Sequence, residues 1–230
     1  MDETITIYVG KINENGYVRT FKCKKSSVSG PYFDMLIKNS KNRTLRLPSI
    51  LPEAFKYVVD TLDRPRASLV FETLEDALIT YSMCDMMLLT RSKDMCLQDV
   101  KRKLFDVDNA LRILNINAMT INDEHISNLA WRKIRFRPND ILKSPLLKEL
   151  ETEDFLALIL EVASIAKPNL LVEACINFVQ DEGDVTFTRE QFMNQVFPKV
   201  PWDLMNAYSL HAVMGAPFLE PEDKISIVMN

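Results

Sequence analysis

Histidine is nearly absent, with two in 230 residues, and glycine is scarce, with five. No Gly-rich phosphate loop, nucleophile elbow or paired-carboxylate site can be found, so the sequence offers no catalytic residue and no cofactor site. Cysteine is sparse as well. Cys23, Cys84, Cys96 and Cys175 lie far apart, with no C-x-x-C pair and no close histidine, which argues against a zinc centre or a disulfide framework. Buried or half-buried thiols are the expectation. Long hydrophobic runs are missing too: none approaches the roughly 20 residues of a membrane span. Met1-Asp2-Glu3-Thr4 lacks the basic start and apolar block of a signal peptide, so an intracellular protein of the cytoplasm or nucleus is expected.

What is present is the composition of one or two folded domains. Hydrophobic residues make up 47% and charged residues 26%, which excludes a disordered or fibrous chain. The net charge of −4 conceals an asymmetry. Residues 1–105 hold 17 Lys and Arg against 13 Asp and Glu, whereas residues 106–230 hold 11 against 19, so the halves carry +4 and −8. Basic residues gather at Arg19, Lys22, Lys24 and Lys25 and again at Lys38, Lys41, Arg43 and Arg46. Nucleic-acid binding would want a larger excess and a recognisable module, so a solvated face or an acidic protein partner is the expectation.

Periodicity divides the chain in the same place. Ile5, Ile7 and Val9 alternate with Thr4, Thr6 and Tyr8, the period of a half-buried strand; Asn13-Glu14-Asn15-Gly16 supplies turn chemistry, and Tyr17 to Cys23 returns as a second strand. Gly30-Pro31 ends a short helical stretch, after which Tyr32, Phe33, Leu36 and Ile37 fall at helical spacing. Phe55, Val58, Val59 and Leu62 predict a helix from Glu53 to Leu62, and Ala67 to Phe71 reads as a short strand. Thr73 stands as the N-cap of the next helix, with Asp76 at the capping-box position and Leu74, Leu78, Tyr81, Met86 and Leu89 as its apolar positions. A further amphipathic helix runs from Lys93 to Phe105, with Cys96, Leu97, Val100 and Leu104 on one face.

Beyond Phe105 the strand signal nearly vanishes. Helical patterns run from Asp108 to Leu114, Asn122 to Phe136, Thr152 to Leu160 and Asn169 to Val179, with Lys143 to Leu150 leading into the third. Asp123-Glu124-His125 is the one acid–histidine cluster, and acids at the start of a helix are what an ordinary amino-terminal turn shows. His211, beside Leu210, Ala212 and Val213, reads as a packed or solvent-facing side chain.

Two phrases resemble a BTB/POZ domain: Lys24-Lys25-Ser26-Ser27-Val28-Ser29-Gly30-Pro31-Tyr32-Phe33-Asp34-Met35-Leu36, and then Leu45-Arg46-Leu47-Pro48 ahead of Pro52-Glu53-Ala54-Phe55. The later phrases Thr152 to Leu160, Asn169 to Val179 and Thr188 to Phe197 with Leu204-Met205 resemble a BACK domain, with Phe178 where that family usually has tryptophan. The resemblance implies an α+β fold: a BTB/POZ domain over residues 1–105, a small sheet flanked by helices, and an all-helical BACK domain over residues 106–230. No Kelch repeat, MATH domain or zinc finger is present.

The same resemblance implies a protein-binding, non-enzymatic role. Family dimers pair through a face that corresponds here to Ile5, Ile7, Lys24, Tyr32, Phe33 and Met35, with Thr4 where the family has an aspartate and Lys24 keeping the basic place. The segment before Ile5 is expected to be too short to supply a swapped strand. Many cullin-3-binding members carry an apolar-x-Glu triplet after the Tyr-Phe helix, and the corresponding loop here is Ile37, Lys38, Asn39, Lys41 and Arg43, without the acid and with basic neighbours. Two functions stay open: an adaptor that homodimerises and recruits a cullin-3 ubiquitin ligase, and a scaffold that tethers partners without binding cullin-3.

Overall fold

A computed structural model of the chain describes residues 3–11, 18–28, 30–40, 44–63, 70–116, 121–181, 189–200, 203, 207–216 and 219–229. The chain mixes a small three-stranded sheet with many helices and divides into two units, Met1–Lys103 and Leu104–Asn230.

In the first unit, β1 (Thr4–Val9) is the central strand, with β2 (Arg19–Lys24) antiparallel on one side and β3 (Thr44–Leu47) parallel on the other. Alternation decides which face is core: Ile5, Ile7 and Val9 are buried, as are Leu45 and Leu47 of β3 and Cys23 of β2. The connection from β2 back to β3 contains α1 (Pro31–Asn39), which Pro31 opens at N1, where its missing N–H costs nothing. Gly30, ahead of it, has φ 134°, a conformation that side chains with a Cβ rarely adopt. Next, α2 (Pro52–Asp63) buries Ala54, Phe55 and Val58, and the Phe55 ring meets Phe21 of β2 edge-on at 5.2 Å.

Two packed helices complete the unit, α3 (Leu74–Met86) and α4 (Thr90–Lys103). The Thr73 hydroxyl accepts from Asp76 N–H at 3.0 Å, so the predicted cap is formed, while the Asp76 carboxylate takes a long contact of 3.4 Å from the Tyr57 hydroxyl. Between the helices the chain reverses through Leu88 at φ 55°, and Leu89 N–H closes onto Cys84 C=O at 2.8 Å. Thr61 and Ser92, both buried, are paired with each other: Thr61 donates to Val58 C=O at 2.6 Å and receives the Ser92 hydroxyl at 2.7 Å. Asp99, also buried, lies 2.8 Å from Arg102 and 3.1 Å from Lys103.

Several expectations move. The second strand is Arg19–Lys24, and both Tyr17 and the Asn13–Gly16 turn fall outside the described residues. The chain before Gly30 makes turns rather than a helix, since Ser27 and Val28 both donate to Lys24 C=O. Val70 and Phe71 are not in a strand; Phe71 is buried, 4.7 Å from the Tyr57 ring, and residues 67–69 fall outside the described residues. Met86 is 55% exposed at the end of α3, and Phe105 is 83% exposed beyond the end of α4.

Among its described residues the second unit contains helices and no strand. These are α5 (Asp108–Ile116), α6 (Glu124–Phe136), the short α7 (Pro138–Ile141), a 3₁₀ turn at Pro145–Glu149, α8 (Thr152–Val162) and α9 (Pro168–Asp181). After them come α10 (Arg189–Gln191), continued by a π turn at Phe192–Val196 and a 3₁₀ turn at Phe197–Lys199, then α11 (Ala207–Gly215) and α12 (Pro221–Met229). Phe155 of α8 and Phe178 of α9, both buried, stack with centroids 3.8 Å apart and planes 4° from parallel. Thr188, Leu204 and Met205 of the BACK-like phrases lie outside the described residues.

Candidate functional site

The expected dimer face divides between interior and surface. Ile5, Ile7 and Phe33, expected on that face, are buried in the core of the first unit rather than lying at its surface. The sequence signal was the same for both roles, because an apolar side chain on a strand or helix reads alike whether it meets a sheet or a partner. Tyr32 is half-buried, its ring edge-on to Phe33 at 5.6 Å, and burial raises its hydroxyl pKa. Met35, one turn along α1, is 53% exposed, and Leu36 is half-buried.

Lys24 is exposed and stands opposite Thr4 in the β1–β2 register. One residue further out, Lys25 N–H donates to Glu3 C=O at 2.7 Å, and its ammonium reaches the Glu3 carboxylate at 3.0 Å. Glu3 and Lys25, the neighbours of Thr4 and Lys24, thus form an acid–base contact that sequence reading missed. An antiparallel register running Thr4 against Lys24 contains it. Arg19, at the other end of β2, lies 3.7 Å from Glu53 of α2.

At the end of α1, Ile37 is half-buried while Lys38 and Asn39 are exposed. Ser40 closes the helix, its N–H on Ile37 C=O at 3.2 Å; its hydroxyl donates to Thr44 C=O at 2.9 Å and receives Thr44 N–H at 3.3 Å, tying the loop to β3. Lys41 and Arg43 lie outside the described residues, and Arg46 is exposed on β3. Asn39 therefore presents an uncharged amide at the surface.

The acid–histidine cluster is used by the backbone. Asp123 Oδ1 accepts from His125 N–H at 2.8 Å and Ile126 N–H at 3.1 Å, capping α6, and the side chains of His125 and His211 are exposed. None of the four cysteines is in a disulfide and all are buried; Cys84 and Cys96 touch across α3 and α4, and that contact together with burial raises the Cys96 thiol pKa, as burial does for Cys175. Among the described residues no three His, Cys, Asp or Glu side chains lie close enough to hold a metal ion, and no helix is long and apolar enough to cross a membrane. No family model matches the chain, and no curated protein matches it.

Proposed function

We propose that the chain is a non-catalytic protein–protein interaction adaptor of the BTB-BACK type, one that self-associates and recruits a cullin-3 ubiquitin ligase to a bound target in the cytoplasm or nucleus. The observation that carries this reading is the order of elements. A β-hairpin, a Pro-started helix and a third strand parallel to the first precede α2 and the α3–α4 pair, and an array of helices follows. The sequence phrases that resemble the family fall on these elements: Pro31 to Leu36 within α1, Leu45 to Leu47 within β3, and Pro52 to Phe55 at the start of α2. Self-association draws on the exposed Met35 with Tyr32 and Leu36 beside it.

A second reading, a scaffold that tethers partners without cullin-3, is favoured by the exposed Asn39 and Lys38. An amide oxygen carries no charge and accepts weaker bonds from a cationic donor than a glutamate would, and the lysine beside it repels a basic ligand. A pull-down of the full chain with the cullin-3 amino-terminal domain separates the two, run beside Asn39→Glu. Retention by the wild type supports the adaptor. Retention only by Asn39→Glu selects the scaffold, and retention by neither removes cullin-3 from the proposal.

A further inference from the structure

We propose that the free edge of β2 is a docking site for an extended acidic segment of another protein, which adds to the sheet as a fourth strand. The backbone register identifies which groups are available. Lys25 N–H donates to Glu3 C=O, so Glu3 and Lys25 form a hydrogen-bonded pair; stepping by two along the antiparallel register makes Ile5/Cys23, Ile7/Phe21 and Val9/Arg19 the bonded pairs as well. Thr20 and Lys22 then turn their N–H and C=O groups away from β1. Gly10 supports this parity from the other side, because its N–H goes to Leu47 C=O of β3. Among the described residues the sheet order β2-β1-β3 leaves no strand beyond β2, and Thr20 and Lys22 are exposed.

Side chains along the edge define the partner. Thr20, Lys22 and Lys24 share one face of the strand, and among the described residues Lys22 and Lys24 make no ion pair. The opposite face carries the half-buried Phe21, edge-on to Phe55 of α2. An incoming strand fits when acidic residues at every second position lie beside Lys22 and Lys24 and apolar residues between them extend the cover of Phe21. A second copy of this chain does not fit, because β2 set against β2 brings lysines beside lysines, the arrangement by which edge strands resist self-pairing.

The test titrates the full chain, at pH 7, with a fluorescent eight-residue peptide of alternating glutamate and valine, read by anisotropy and by amide hydrogen exchange. Binding with slowed exchange at Thr20 and Lys22 is expected. The double variant Lys22→Glu/Lys24→Glu should weaken it by roughly tenfold or more. Thr20→Pro should also weaken it, because it removes an outward donor that the β1–β2 ladder does not use. The same peptide N-methylated throughout keeps its charge and loses its donors, and should not bind. No binding of the parent peptide overturns the proposal, as does binding that survives N-methylation, which would make the lysines a general anion surface. Exchange protection elsewhere than β2 overturns it too, and because the peptide series uses the unaltered protein, a Thr20→Pro variant that fails to fold leaves the answer intact.

Discussion

Asp223 is the buried carboxylate whose environment makes the clearest statement about pH. It receives two hydrogen bonds from the Arg189 guanidinium, one of them 2.8 Å from Nη2 to Oδ1, and a third from Glu220 N–H at 3.0 Å. The bond from Arg189 outweighs burial and holds the Asp223 carboxyl below the usual carboxylate range. A carboxyl whose pKa is lower in the folded chain than in the unfolded one contributes stability above the unfolded value, near 4, and loses it as pH falls through the folded value. Urea denaturation from pH 7 down to pH 3 and below should therefore show the wild type losing more stability than Asp223→Asn, the gap between them closing at the acid end. Parallel losses would mean that the pair contributes nothing. Neither residue announces the other in the sequence, since they stand 34 positions apart and are joined only by the fold of the second unit.

Helix α6 shows how a local signal becomes an element. Asp123, with its carboxylate on two of the orphan N–H groups of the first turn, accounts both for where the helix starts and for why an acid precedes Glu124-His125. Asp123→Ala should cost about 1 kcal/mol and Asp123→Ser much less, measured by urea denaturation followed by circular dichroism. Equal stability of Asp123→Ala and the wild type would show the cap to be idle. Such signals were legible because they act within three or four residues, which is why the Thr73 cap and the α2 stripe of Phe55 and Val58 are where the sequence puts them. Longer-range competition decided the rest. Residues 44–47 form a strand because Thr6 to Val9 offer them a parallel partner, and four residues alone carry too little alternation to announce it. Met86 fits the helical pattern but comes at the last turn of α3, just where the chain reverses toward Leu88, and is left in solvent.

At the scale of the whole molecule, the proposed self-association depends on how little apolar surface α1 has left to offer. With Ile5, Ile7 and Phe33 committed to the core, the face is reduced to Met35 with the half-buried Tyr32 and Leu36. A stable interface buries about 800 Å² on each partner, far more than three side chains supply, so Met35 must be its apolar centre with polar surface around it. Under that arrangement a single charge is enough to break it: Met35→Asp places an unpaired carboxylate in the desolvated middle of the contact while leaving the monomer untouched, because residue 35 faces solvent there. Light scattering at micromolar concentration should give twice the 26.5 kDa chain mass for the wild type and the chain mass for Met35→Asp. A wild type that stays at the chain mass as concentration rises removes self-association from the proposed function. A variant that still pairs moves the interface away from α1.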